Sequence, residues 1–237
     1  MPALIFSLGE RSRTPQTAGI ARPTWFGFFM KDPRDFQCTT LDLLRHGACE
    51  GGEIFRGSTD VALSELGWQQ MRNSVAPHNG WQQIVSSSLQ RCQRLAESLS
   101  AERDVPITVD DRLREIHFGR WEGQPQTKVM EEDGAHLRGF WFDPLNHSPP
   151  EGEPVADFQQ RIIRLLDEVQ RDFSGQHILL VSHGAVIRIV MCHLLDIPLT
   201  SLGRISVPYA CLTRIKIYQQ EGETPWVQLQ WHGSSQG

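Results

Sequence analysis

The stretch LDLLRHGACEGG (Leu41–Gly52) joins an apolar run to an abrupt turn of polar residues and glycines. The apolar run is typical of a buried β-strand, and the tripeptide Arg45–Gly47 stands at its end. A second apolar run, HILLVS (His177–Ser182), is followed in the same way by His183 and a glycine. Ligands of open α/β sheets bind outside the carboxyl ends of the strands, so the two histidines are predicted to meet at one edge of a sheet.

Strand and helix patterns alternate along the rest of the chain. Strands are predicted at 39–44, 81–88, 105–110, 177–182, 210–218 and 226–232, and helices at 64–75, 89–99, 157–173 and 185–195. The stretch 119–152 predicts helical pieces and loops. In the first helix Ser64 is the predicted N-cap, and Leu66, Met71 and Val75 are predicted to face inward. The alternation predicts a layered α/β fold with a mostly parallel central sheet.

Residues 1 to 38 differ from the rest of the chain, because they contain four prolines, several glycines and no sustained periodicity. We expect a poorly ordered N-terminal extension at 1–38, followed by one domain at 39–237. With 237 residues and a net charge of −5, the chain gives no indication of a nucleic-acid or membrane partner. Five scattered cysteines without a C-x-x-C pair favour reduced thiols and a cytoplasmic location.

Two further residues follow predicted strands and fit a site at the same edge. Arg91 falls in the first turn of a helix, where its guanidinium and the helix N-terminus can hold an anion together. Glu115 lies on a loop among apolar and aromatic residues, an environment that suits a general acid. Each has a plainer interpretation: Arg91 as a surface arginine, and Glu115 as an ion-pair partner of Arg112 or Arg114. Glu122 is a competing candidate for the acid.

Five motifs in this order carry a resemblance: LLRHG, RGSTDVALSELGWQQM, SSSLQRC, LREIHFGRWEG and LLVSHG. Together they resemble the histidine phosphatase superfamily, the group that includes phosphoglycerate mutases and acid phosphatases, over about residues 41 to 195. The resemblance implies a three-layer α/β/α fold like that of phosphoglycerate mutase. By itself, a histidine at a strand end is more often a capping or hydrogen-bonding residue than a catalyst, so the ordered set of motifs carries the argument.

The resemblance also implies roles for individual residues. His46 is expected to be the nucleophile that forms a phosphohistidine, and Glu115 the acid that protonates the leaving alkoxide. Arg45, Arg91 and His183 are expected to bind the phosphate. His183 is also expected to be a catalytic residue. Gly47 and Gly184 are expected to leave room for the substrate. The reaction implied requires no metal and no cofactor.

The tail of the opening stretch departs from the family pattern. Where many members have a Thr or Ser and then an Asn that reaches the phosphate, this chain has Cys49 and no Asn. A thiol is a weaker hydrogen-bond donor than a hydroxyl, so Cys49 bears on substrate binding. Arg56 is a candidate to reach the phosphate or the rest of the substrate, or else to form a salt bridge with Asp60, which is expected, like Ser64, to fix the local structure.

The resemblance is strongest to alpha-ribazole phosphatases, so the expected substrate is a small phosphomonoester, alpha-ribazole 5′-phosphate of cobalamin nucleotide-loop assembly. Alternatives are a phosphoglycerate mutase-type phosphotransferase, a broad-specificity or regulatory phosphatase, and a phosphate-binding protein without activity. The mutase is less favoured because little chain after Leu195 remains to cover a phosphorylated intermediate. The sequence leaves open whether the protein forms a homodimer.

Overall fold

The computed structural model of the protein describes residues 36–233. Most of the expected extension, residues 1–35, lies outside the described residues, whereas Gln37 and Cys38 already belong to the first strand. None of the helices in the described range is long and apolar enough to cross a membrane. The strands and helices are β1 (Gln37–Arg45), α1 (Glu65–Val75), β2 (Gln83–Ser87), α2 (Gln90–Arg103), β3 (Ile107–Asp110), α3 (Gln126–Phe142), α4 (Val155–Asp172), β4 (His177–Ser182), α5 (Gly184–Leu194), β5 (Leu212–Gln219) and β6 (Trp226–Gly233).

The six strands form one sheet in the order β3-β2-β4-β1-β5-β6. Strands β3, β2, β4 and β1 are parallel, and β5 and β6 are antiparallel to their neighbours. The mostly parallel sheet predicted from the sequence is confirmed. Strands β1 and β4 are direct neighbours, with Arg45 opposite Ser182, so the chain segments that follow them leave the sheet side by side.

Helices cover both faces of the sheet, which gives the three-layer α/β/α arrangement. Because side chains alternate along a strand, β1 sends Leu41 and Leu43 into one core and Leu44 into the other. The first core is completed by apolar residues of α3, α4 and α5, and the second by those of α1 and α2. The sheet is therefore buried between two separate hydrophobic clusters, as a parallel sheet requires.

Helix α1 begins as predicted and buries two of the three residues that were predicted to face inward. The Ser64 hydroxyl accepts a hydrogen bond from the Gly67 amide at 3.1 Å, which confirms it as the N-cap. The prediction for Leu66 was wrong, since its side chain is 58% exposed. The predictions for Met71 and Val75 are confirmed, and Gly67 and Ser74 are buried beside them. These positions follow a helical period from Gly67, where the absence of a side chain lets the helix approach the backbone of Ala48 in the turn after β1.

Candidate active site

The two histidines that follow the apolar runs meet at the carboxyl edge of the sheet. The His46 amide donates to the Ser182 carbonyl at 3.0 Å, which continues the β1–β4 pairing beyond the strand. The ring centroids of His46 and His183 are 5.3 Å apart. The predicted convergence of the two strand ends is confirmed.

The tautomer of His46 follows from its hydrogen bond to the backbone. Nδ1 lies 2.8 Å from the Gly47 carbonyl oxygen, and because a carbonyl only accepts, Nδ1 carries the proton. Nε2 is therefore left with a free lone pair. Burial lowers the pKa of His46 well below its usual value, and the nearby guanidinium groups of Arg45 and Arg91 lower it further. The imidazole is neutral at pH 7, the state in which nitrogen is nucleophilic.

Arg91 is fully buried and its guanidinium is fixed from three directions. Nη1 donates to the Thr59 carbonyl at 2.8 Å, Nη2 to the Gly57 carbonyl at 2.7 Å, and Nε to Nδ1 of His183 at 3.3 Å. Since Nδ1 of His183 accepts, its Nε2 carries the proton and donates to the Ser87 hydroxyl at 2.8 Å. His183 therefore lies behind Arg91, fully buried, rather than on the surface of the site.

An open cavity of about 470 Å³ lies over His46. Five of the seven predicted site residues lie in its wall: Arg45, His46, Arg56, Arg91 and Glu115. The other two, His183 and Cys49, do not. Among residues 36–233, no group of three or more His, Cys, Asp or Glu side chains is arranged to hold a metal ion. The cations of the cavity wall are guanidinium groups, which match the oxygens of a phosphate in shape and charge.

Glu115 lies in the cavity wall with the arginines and forms neither of the predicted ion pairs. Its carboxylate accepts hydrogen bonds from the amides of Ala185 at 3.1 Å and Ile116 at 3.2 Å. Arg112 pairs instead with Asp110 and Glu168, and Arg114 donates to a backbone carbonyl. The carboxylate is thus oriented by backbone amides and can exchange a proton with a group in the cavity.

Glu122, the competing acid, has a structural position instead. Its carboxylate accepts from the amides of Ser58 at 2.8 Å, Thr59 at 3.1 Å and Phe118 at 3.1 Å. Burial acts to raise its pKa, but these hydrogen bonds outweigh burial and lower the pKa. Glu122 therefore stays ionised and fixes the loop that holds Arg91 in place.

Arg56 organises the glycine-rich tail of the opening stretch. Its guanidinium donates to the carbonyls of Glu50, at 2.9 Å, and Gly52, while its Nε has no partner in the described part of the chain. The predicted alternative, a salt bridge with Asp60, does not occur, because Asp60 accepts from the first amide of α2 at 2.8 Å. The Cys49 sulfur lies 3.5 Å from Nδ1 of His46. The guanidinium of Arg56 thus borders the cavity, and the thiol of Cys49 contacts His46.

The two predicted clearance glycines differ in what they contact. A β-carbon at Gly47 would overlap the Gly67 carbonyl, so Gly47 is required for packing against α1, and the expectation that it leaves room for substrate was wrong. Gly184 does lie in the cavity wall, between two guanidinium groups. The sharp turn after His46 is therefore fixed by helix packing.

Sequence reasoning missed several residues of the cavity wall. One of them is Tyr209, whose ring centroid lies 4.4 Å from the guanidinium of Arg45. Arg45 also donates from Nη1 to the Val207 carbonyl at 2.6 Å. Tyr209 comes from the segment before β5, and no local pattern marks it. Arg188 could have been found, since it lies one helical turn after Gly184 and so faces the same side. Further wall residues absent from the prediction include Glu53, Phe55 and Trp141.

Known proteins resemble the chain over most of the described range. A bifunctional protein of Mycobacterium tuberculosis is 32% identical over 76% of this chain, and the chain spans about half (50%) of that relative's length. The adenosylcobalamin/alpha-ribazole phosphatase of Salmonella typhimurium is 28% identical over 75% of this chain and 90% of its own. A mycobacterial glucosyl-3-phosphoglycerate phosphatase with bound VO3 superimposes with a TM-score of 0.74 at 27% identity, covering 83% of this chain and 99% of its own.

A family description matches residues 41–229, a range that includes both strand ends, both histidines and the whole cavity wall. The match extends well beyond the range 41 to 195 over which the motifs were recognised. On this match, the chain belongs to the histidine phosphatase superfamily, branch 1.

Proposed function

We propose that the protein hydrolyses small phosphomonoesters through a phosphohistidine formed on His46. One observation carries the proposal: the bond from Nδ1 to the Gly47 carbonyl leaves Nε2 unprotonated beneath a cavity lined by Arg45 and Arg91. A buried, neutral imidazole beside two guanidinium groups suits attack on a phosphate better than a structural role, because within residues 36–233 no donor occupies the lone pair of Nε2.

In the first step, Nε2 of His46 attacks phosphorus in line with the ester oxygen, and the P–O bond to the leaving group breaks. Glu115 gives its proton to that oxygen, so an alcohol leaves. Arg45 and Arg91 neutralise the charge on the non-bridging oxygens, and Arg56 lies in the same cavity wall and adds a third positive charge. His183 supports this step by holding Nε of Arg91, so that the guanidinium does not need to reorient.

In the second step, water attacks the phosphohistidine and the P–N bond breaks. Glu115, now a carboxylate, takes the proton from the water, which restores both groups to their starting states. Inorganic phosphate is the second product. The arginines supply the charge stabilisation throughout, so hydrolysis should continue in the presence of a chelator.

For the substrate itself we propose alpha-ribazole 5′-phosphate. Support comes from the relative in Salmonella typhimurium whose name states this activity and of which the chain matches 90%. The cavity, at about 470 Å³, is large enough for a small ester, and its aromatic side chains offer contacts to a flat base.

The test is phosphate release from a panel of esters with EDTA present. The panel contains alpha-ribazole 5′-phosphate, phosphoglycerates, fructose bisphosphate and an aryl phosphate, and phosphoglycerate isomerisation is measured in parallel. We expect release from the aryl ester and a selectively higher kcat/KM for alpha-ribazole 5′-phosphate. A flat profile would overturn the substrate proposal alone, and isomerisation without phosphate release would overturn the hydrolase proposal.

A further inference from the structure

The segment at residues 207–211, which leads into β5, is bonded to the backbone on both sides of the first strand end. The Arg45 amide donates to the Cys211 carbonyl at 2.9 Å, and the Ala210 amide donates to the His46 carbonyl at 3.2 Å. Because these bonds reach both residues, the segment is fixed relative to the imidazole and the guanidinium that follow one another at the edge of the cavity.

Ala210 has a backbone conformation that residues other than glycine rarely adopt, with a φ of 53°. Its methyl group is buried in the second core, its amide is bonded to His46, and its carbonyl accepts from the Ser74 hydroxyl at 2.7 Å. Such conformations persist where the surrounding contacts over-determine them, and they concentrate at functional sites. The methyl group of Ala210 thus lies in the core, while the ring of the preceding residue, Tyr209, lies in the cavity wall.

The ring of Tyr209 supplies a restraint on Arg45 that hydrogen bonds do not. Within residues 36–233, the Arg45 side chain makes one hydrogen bond, from Nη1 to the Val207 carbonyl, and its Nε makes none. A single hydrogen bond holds one end of a guanidinium and leaves its plane free to turn. The ring centroid of Tyr209 lies 4.4 Å from Cζ of Arg45, a cation–π contact that restrains that plane. Arg91, by contrast, is held by three hydrogen bonds.

An aromatic ring holds a guanidinium without cancelling its charge. Arg161, on α4, is held by the carboxylate of Glu153 at 2.7 Å, and this ion pair offsets the charge of the arginine. Arg45 forms no salt bridge within residues 36–233, and its contacts are a carbonyl and the ring of Tyr209. Its positive charge therefore stays available to an anion in the cavity.

We propose that Tyr209 is a positioning residue, which holds the guanidinium of Arg45 in the orientation that the phosphoryl group requires in the transition state. The inference rests on the proposed function, since it assumes that His46 attacks phosphorus. A bound tetrahedral phosphate tolerates several orientations of the guanidinium. In the transition state, the axis of attack by His46 fixes the directions of the equatorial oxygens, so a donor that is already oriented avoids the cost of reorganisation.

The test compares two oxyanions, inorganic phosphate and dilute orthovanadate, which becomes five-coordinate when a nucleophile binds it and so resembles the transition state. Their dissociation constants are measured by titration calorimetry. In Tyr209→Leu we expect the affinity for vanadate to fall at least about tenfold, the size of a partly desolvated cation–π contact. The affinity for phosphate should fall by no more than about threefold. Tyr209→Phe keeps the ring and should retain the affinity for vanadate within about twofold.

A double-mutant cycle separates positioning of Arg45 from a general structural role. In an Arg45→Gln background, Tyr209→Leu should change the affinity for vanadate by less than about twofold, because the group that the ring restrains is absent. A general structural role would give the same loss with and without Arg45. Tyr218→Leu is the matched control, since Tyr218 is the other tyrosine of the chain and lies on β5 outside the cavity wall. It should leave both dissociation constants unchanged.

Three results would overturn the role of Tyr209. They are equal weakening of the two oxyanions in Tyr209→Leu, a loss in Tyr209→Phe as large as in Tyr209→Leu, and a loss in Tyr209→Leu that persists in the Arg45→Gln background. If the unsubstituted protein releases phosphate from an aryl phosphate, these results reject the role of Tyr209 alone. If it releases none, the hydrolase proposal itself fails.

Discussion

Strand β1 carries two polar clusters, one with all its charges paired and one without. In the middle of the strand, the fully buried Asp42 accepts from Nε and Nη2 of Arg214 at 2.7 and 2.8 Å. It also accepts from Trp81 Nε1 at 2.7 Å and lies 2.9 Å from His177 Nε2. At the end of the same strand, Nε of Arg45, beside His46, has no hydrogen-bond partner within residues 36–233.

The difference shows what each cluster is for. Burial acts to raise the pKa of Asp42, but the hydrogen bonds from Arg214, His177 and Trp81 outweigh burial and lower the pKa to about 2. The charge of Asp42 is thus compensated by the neighbouring side chains, and the cluster stabilises the fold. At the strand end, burial and the neighbouring arginines together lower the pKa of His46, and the hydrogen bond to the Gly47 carbonyl does not compensate for them. That cluster is left for an anion to complete.

The largest effect is expected at the strand end. His46→Asn removes the proposed nucleophile, so kcat for an aryl phosphate should fall by more than about ten-thousandfold. The free energy of unfolding should change by less than about 1 kcal/mol, because one neutral polar side chain replaces another in a site whose polar groups are not all hydrogen-bonded. Steady-state kinetics and urea denaturation on the same preparations check both statements. Residual activity within a hundredfold of the unsubstituted protein would exclude the covalent mechanism.

The opposite profile is expected at mid-strand. Asp42→Asn leaves Arg214 without its counter-charge, which should cost about 3–5 kcal/mol of stability. Because Asp42 lies outside the cavity, kcat per folded molecule should stay within about twofold. Urea denaturation measures the first quantity and active-site titration of the folded fraction the second. A stable Asp42→Asn protein would show that the pairing contributes little to the fold.

The two clusters should also respond to acid in different pH ranges. His46 and His183 both have a lowered pKa, so below about pH 6.5 the unfolded chain binds protons that the folded chain does not. The free energy of unfolding should therefore decrease as the pH is lowered, by about 1.4 kcal/mol per pH unit for each histidine. Thermal unfolding between pH 7.5 and 5.5 in phosphate-free buffer measures the slope. His46→Asn should lose about half of it, and a slope unaffected by the substitution would contradict the assignment.

Asp42 contributes in a lower range, with its own sign. Its folded pKa of about 2 lies below its ordinary value of 3.8, so its stabilising effect is complete above that value. The effect is lost as the pH falls toward 2. Unfolding curves at pH 4.5 and 2.5 should therefore differ less in Asp42→Asn than in the unsubstituted protein.

The smallest effect is expected from one hydrogen bond of the paired cluster. Trp81→Phe removes the Nε1 donor to Asp42 but keeps most of the aromatic packing, so it should cost about 1 kcal/mol. Urea denaturation resolves a change of this size. A loss above about 3 kcal/mol would mean that the indole packs the core in a way that phenylalanine cannot reproduce.

Local patterns in the sequence were sufficient for the parallel sheet and for the residues at the strand ends. Arg45 and His46 directly follow one predicted strand, and Arg91 lies in the first turn of the helix after another; parallel neighbours bring such positions together. Tyr209 could not be predicted, because it reaches the cavity through a segment whose placement depends on contacts distant in sequence. The inward prediction for Leu66 failed for a related reason: the neighbouring Gly67 is the residue that packs inward, against the backbone of Ala48, and Leu66 faces outward.

The same limit applies to the choice between the two acids. Glu115 and Glu122 occupy one loop with similar neighbours in sequence, and two of the amides that bind the Glu122 carboxylate, those of Ser58 and Thr59, come from elsewhere in the chain. Hydrogen-bond partners far apart in sequence decided the roles, and local composition does not contain them.

The contact between Gly47 and Gly67 limits how this protein can be redesigned. Because neither glycine tolerates a β-carbon, the turn of the nucleophile and the start of α1 form one rigid unit, and a library that varies either will mostly yield inactive chains. Glu53, Trp141 and Arg188 line the cavity from outside this unit. Substrate range is therefore best altered at those three positions, where variation leaves the position of the reacting imidazole untouched.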